Sequence, residues 1–182
     1  MKTTVKKLLA AAALVLTAPL ASASVLNFDD LTGFGPMTTY GGLTFSDWYH
    51  YDKESPPYNA ASGRTSLFDT TNSNSFGRVS AFTFQGASFA GATGVNVRFD
   101  MFLNGAYVFS STTLSVDDKP TFLGSGYTGL VDSVKVTSGN PQYFVMDDLT
   151  FNEASNVPEP GSLALLFGAM GVMGVMARRR KA

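Results

Sequence analysis

From Val95 to Leu103 the chain reads "VNVRFDMFL", with Val95, Val97, Phe99, Met101 and Leu103 on one side and Asn96, Arg98, Asp100 and Phe102 on the other. A repeat of two residues is the period of a strand with one face in a core. Asn104-Gly105 follows, then "AYVFSSTTLSV". Asn-Gly accepts positive φ at both central positions of a tight turn, so residues 94–103 and 106–116 are predicted to pair antiparallel.

The same period governs the rest of the central region. Further strands are predicted at 25–28, 43–49, 66–69, 78–84, 121–124, 130–137 and 143–151, separated by turn-forming runs such as "DTTNSNS", "VDDKP" and "TSGNP". No apolar period of 3.6 persists for ten positions there. The expected fold class is all-β: a single β-sandwich, jelly-roll-like rather than immunoglobulin-like, with a barrel as the alternative.

Both ends depart from this pattern. "MKTTVKKLLAAAALVLTAPLASAS" places Lys2, Lys6 and Lys7 before an apolar stretch and ends it on Ala21-Ser22-Ala23, the layout of a secretory signal peptide over 1–23. At the other end, Gly161 to Ala177 is an uncharged run of about 25 Å if helical, the short end of a membrane span. Arg178, Arg179, Arg180 and Lys181 in the basic tail 178–182 would hold its end on the cytoplasmic side, with the body exported. Pro158 and Pro160 lack amide protons and stiffen the intervening segment into an extended tether.

"VPEPGSLALLFGAMGVMGVMARRRKA" resembles the C-terminal sorting signal of PEP-CTERM proteins, over residues 156–182. The resemblance implies recognition of Pro158, Glu159 and Pro160 by an exosortase-like membrane protease, after export by the secretion machinery across the inner membrane of a Gram-negative bacterium. It also implies a final place at the cell surface or in the extracellular polysaccharide matrix. "LNFDD", "GLTFSDWY" and "FVMDDLTFN" resemble a recurrent ectodomain of such proteins and imply a sandwich over 24–155.

Removing the tails changes the electrostatics. Of 13 basic residues seven lie in the tails, while 13 of 14 acidic ones lie in the body, so the formal charge of −1 becomes 6 − 13 = −7 for the body. Nucleic acid is excluded as a partner on that sign. The absence of cysteine excludes thiol catalysis, thiolate zinc and disulfide stapling.

"FDDLT" at 28–32 is echoed by "MDDLT" at 146–150. If first and last strands adjoin, Asp29, Asp30, Asp147 and Asp148 converge on one edge, and a structural calcium ion is the candidate cofactor, since calcium accepts carboxylates in irregular geometry. Turn caps, acceptors for local amides or solvated edge charges are the reading the spacing favours for the same residues, for no EF-hand pattern is present.

Catalytic patterns are sparse. His50 is the sole histidine, no G-x-S-x-G elbow occurs, and Glu54, Glu153 and the aspartates supply carboxylates without a spacing that marks a glycosidase pair. The expectation is a protein without enzymatic activity. The segment "FSDWYHYDKESPPYNAASGR" instead gathers aromatic and amide side chains, and Trp48, Tyr49, Tyr51, Tyr58 and Asn59 are candidate glycan contacts. Strand alternation sets Trp48 and His50 on one side and Tyr49 and Tyr51 on the other, so one pair belongs to the core and the other is displayed. A structural matrix protein associated with extracellular polysaccharide or biofilm is the first expectation of function. A carbohydrate-binding module is the second and a glycan-active hydrolase the third.

Overall fold

The computed structural model describes residues 23–71 and 74–153. The Pro-Glu-Pro motif, the apolar run 161–177, the basic tail and all but the last residue of the signal segment lie outside them. Eleven strands and no helix are found among the described residues: β1 (Ser24–Leu26), β2 (Phe34–Tyr40), β3 (Leu43–Tyr51), β4 (Ser66–Asp69), β5 (Ser75–Gly91), β6 (Asn96–Leu103), β7 (Ala106–Ser110), β8 (Leu114–Ser115), β9 (Thr121–Gly124), β10 (Leu130–Ser138) and β11 (Phe144–Glu153).

All pairings are antiparallel, and the hydrogen-bonded path folds into two layers because two strands change neighbours along their length. β3 pairs with β5 through Thr44–Ser46 and then with β4 through Trp48–Tyr51. Asp47, with φ of 63°, lies at the crossing and resets the alternation, so that Phe45 and Trp48 both point inward. β5 pairs with β10 at Ser75–Gly77, bulges through 78–81, meets β10 again at Phe82 and Thr83 with β11 on its other side, and from Phe84 to Gly91 keeps β11 and leaves β10. One layer thus holds β2, the end of β3, β4, β11, the end of β5 and β9; the other holds β10, β6, β7 and β8. β1 lies beside β11, with Val25 opposite Thr150, so first and last strands adjoin.

The core between the layers is built mainly from phenylalanine. Phe99 of β6 stands edge-on to Phe84 of β5 at 4.7 Å and contacts Phe89 at 5.5 Å, although β5 and β6 share no ladder. These contacts cross from layer to layer and establish the sandwich. Phe82 meets Phe151, and Phe144 joins Phe89 to Trp48. Each fully buried side chain of this size contributes about 1.5–3 kcal/mol of transfer free energy, which lets a chain without disulfides close a core.

The Asn104-Gly105 hairpin forms with both turn residues at positive φ. Val95, Val97, Phe99 and Met101 are buried as alternation requires. The expected strand 106–116 is interrupted, because at Ser111 the backbone N–H donates to the Phe99 carbonyl (2.9 Å) while the hydroxyl accepts from the Phe99 N–H (2.9 Å). β8 then resumes pairing with β6 at Asn96 and Val97. β5 runs well past the expected 78–84. Gly86 does not end it: a Cβ there would lie 2.2 Å from the Leu123 carbonyl oxygen, and one at its last residue, Gly91, would lie 2.3 Å from that of Tyr143, so glycine permits close passage of neighbouring backbone.

Candidate functional site

The outer face of β2, β3 and β4 carries an aromatic surface. Cross-strand register sets Phe34 opposite Tyr51, and Tyr49 opposite Phe68. Phe34 stacks on Tyr49 with centroids 5.5 Å apart and on Phe68 at 5.7 Å, their planes within 29° and 28°, and meets Tyr51 edge-on at 6.4 Å. Tyr49 also lies 5.8 Å from Phe68. Phe34 remains 64% exposed, so its ring is offered to solvent although it packs on neighbours.

Beside this surface lies a cleft of about 420 Å³, lined by Phe34, Tyr51, Phe68 and Val145 on the sheet side and by Lys53, Ser55 and Tyr58 from the loop between β3 and β4. Ser66, Gln142 and Phe144 complete it. Gln142 is held in a left-handed conformation, φ 67°, by its N–H donating to Asp69 (2.6 Å) and its side-chain amide donating to the Thr70 carbonyl (3.3 Å). Asp69 is buried, and desolvation pushes its carboxyl up to about 6 against the Gln142 bond, which lowers it. The indole N–H of Trp48, its cross-strand partner, and the second oxygen of Asp69 are both buried without hydrogen-bond partners.

Three aspartates anchor the loop that forms the outer wall, and a fourth, Asp30, bonds to Tyr40 of β2 instead. Asp147 accepts from the backbone N–H groups of Ala61 (2.8 Å) and Ser62 (2.9 Å), and Asp148 accepts from the Ser62 hydroxyl (2.7 Å). Asp29 accepts from the N–H groups of Arg64 (3.1 Å) and Thr65 (3.5 Å). Asp30 accepts from the Tyr40 hydroxyl, and burial, then that bond and the charges of Asp30 and Asp29, push the tyrosine up to about 12. Burial likewise pushes Asp147 up to about 7, opposed by N–H donors from Ser62, Asp148 and Ala61 and reinforced by the charge of Asp148. At the far side of the loop the Asn59 amide donates to the Asp118 carbonyl (2.6 Å). Asp29, Asp147 and Asp148 therefore converge on residues 61–65, where their oxygens face N–H and O–H donors, while Asp30 faces β2. Among the described residues no grouping of three or more acidic or histidine side chains has the arrangement of a metal centre.

The candidate glycan contacts separate in space. Tyr51 and Tyr58 line the cleft and Tyr49 adjoins it, whereas Asn59 ties the loop to the turn at Asp118. Trp48 requires correction as a glycan contact: it is 1% exposed and packs edge-on against Phe144 at 6.3 Å, because the bulge at Asp47 turns it into the core. His50 follows Trp48 inward, half-buried, with its Nδ1 enclosed and unpartnered. Phe34 and Phe68 escaped the sequence reading. "GFGP" carries the marks of a turn, and Pro36 belongs to a strand that pairs on one side only, where its missing N–H is tolerated. Phe68 was legible by alternation against Leu67, which is buried.

No curated protein matches the chain. Among solved structures, a mutant of a family 29 carbohydrate-binding module is similar at 13% identity, covering 77% of this chain and 99% of that one with a TM-score of 0.44. The module TmCBM61, solved in complex with β-1,4-galactotriose, is similar at 14% identity, covering 70% and 95% with a TM-score of 0.38. Residues 156–181 match the family model of the PEP-CTERM protein-sorting motif, so the chain carries at its C-terminal end the signal for export and membrane-anchored sorting to the cell surface.

Proposed function

We propose that the protein is a surface-displayed glycan-binding module, retained with extracellular polysaccharide, and that the cleft between Phe34 and Tyr58 receives the sugar. The observation that carries this reading is the exposed, stacked Phe34 ring at the mouth of a cleft of about 420 Å³. Aromatic faces match the C–H faces of pyranose rings, while Ser55, Ser66 and Gln142 supply groups for hydroxyls. The lining contains no carboxylate and no histidine, which favours binding over hydrolysis. An exosortase-like protease is the partner that the sorting motif supplies.

Affinity electrophoresis of the full chain through gels containing purified polysaccharides tests the reading. Phe34→Ala is expected to weaken retardation about tenfold, equivalent to about 1.4 kcal/mol, without lowering the melting temperature. Retardation unchanged by Phe34→Ala and by Tyr58→Ala would exclude the cleft as the binding site. A matrix role without sugar recognition would give no retardation by any polymer.

A further inference from the structure

The ionic character of the cleft is set by one side chain. Lys53 is exposed and is the sole charged residue of the lining. Among the described residues the ion pairs are Arg78 with Glu153 and Arg98 with Asp100, so the Lys53 ammonium has no carboxylate partner. It lies beside Phe34, Tyr51 and Tyr58, where a stacked ring would remove water from it. A neutral sugar would leave that ammonium partly desolvated and uncompensated, whereas an anionic ring substituent would pair with it.

We infer that the cleft takes a glycan whose pyranose carries an anionic substituent, with Lys53 as the group that selects it. This rests on the glycan reading of the same cleft. The acidic balance of the body, 6 − 13 = −7 over residues 24–157, opposes approach of a polyanion at long range. That repulsion is screened beyond about 8 Å at physiological ionic strength, while a contact between Lys53 and the bound substituent is screened far less. The charge therefore sets selectivity among polymers once they dock and slows their arrival.

The substituent's chemistry is shared by a uronate carboxylate and a sulfate ester, and the experiment separates them. Affinity electrophoresis of the full chain is run in polygalacturonate, in a sulfated galactan and in an unsubstituted galactan, with Lys53→Gln, Lys53→Arg and Phe34→Ala alongside. The wild type is expected to bind one anionic polymer about tenfold more tightly than the neutral one. Lys53→Gln removes that preference, and Lys53→Arg keeps it. Equal binding of charged and neutral polymers, or a preference that survives Lys53→Gln, overturns the inference. If Phe34→Ala abolishes binding in that event, the glycan reading stands alone; silence of the wild type toward all three polymers overturns both.

Discussion

The tetrapeptide Asp-Asp-Leu-Thr occurs twice, and the two copies occupy different surroundings. At 29–32 it follows Phe28, whose φ is 57°, in a tight turn closed by the Leu31 N–H donating to the Phe28 carbonyl (3.0 Å). Both aspartates are exposed and Leu31 is half-buried. At 147–150 it lies inside β11, where Asp148, φ 48°, marks a bulge against β5, Asp147 is 2% exposed and Leu149 is fully buried. Pairing of β1 with β11 brings the copies to opposite ends of one five-residue segment, 61–65. Identical residues thus serve as an exposed turn anchor and as a buried clamp, and the second should carry more of the stability.

Replacing the buried clamp gives the largest expected effect. Asp147→Ala leaves the N–H groups of Ala61, Ser62 and Asp148 without their acceptor and should cost about 2 kcal/mol. Because Tyr58 lies just upstream of that segment, the loss should also loosen the cleft wall. Urea unfolding measures the first effect and hydrogen exchange over 58–65 the second. A variant as stable as the wild type would show that the segment holds its position without Asp147.

How far this was legible depends on which rule each residue obeys. The hairpin at Asn104-Gly105 and the inward row Val95 to Met101 follow from local chemistry, and both are found. The repeat suggested convergence of the Asp-Asp pairs only on condition that first and last strands adjoin, and that Asp29, Asp147 and Asp148 meet donors of 61–65 while Asp30 meets Tyr40 depended on where 61–65 runs, a tertiary fact. Alternation left open which aromatic pair is core, and Trp48 failed as a glycan contact because the bulge at Asp47, which turns it inward, has no reliable signal in alternation. β2 was hidden by Gly33, Gly35 and Pro36, which read as a turn until a neighbouring strand supplies the ladder. The aromatic surface is assembled across three strands, so its Phe34 and Phe68 could not be paired by sequence distance.

The pH dependence sharpens the contrast at smaller amplitude. Burial raises Asp147 to about 7 and Asp69 to about 6 from 3.8, while Asp29 sits exposed. Between about pH 4 and 7 the folded chain holds protons that the unfolded chain has released, so stability is greatest at the acid end of that window and falls as pH rises through it. Asp69→Asn keeps an acceptor for the Gln142 N–H and removes one titration, so the decline should be shallower, by roughly half. Melting temperatures by circular dichroism at pH 4, 5, 6 and 7 follow this. A wild-type melting temperature that rises across the window contradicts burial as the dominant influence on both carboxyls.

The exposed copy gives the smallest expected effect and is best isolated by coupling. Gly63 has φ of 50°, and a Cβ there would lie 1.8 Å from an Asp29 carboxylate oxygen. Gly63→Ala therefore carries two penalties, backbone strain and displacement of Asp29 from the Arg64 and Thr65 amides. In an Asp29→Ala background the second penalty disappears while the first stays. The double-mutant cycle should yield a coupling of about 0.5 kcal/mol, with Asp29→Ala alone costing less than Asp147→Ala because water replaces the lost acceptor at an exposed turn. Zero coupling would mean that the Asp29 side chain swings clear without loss, leaving the hold on 61–65 to the buried copy; Asp29→Ala costing as much as Asp147→Ala would abolish the distinction between the two.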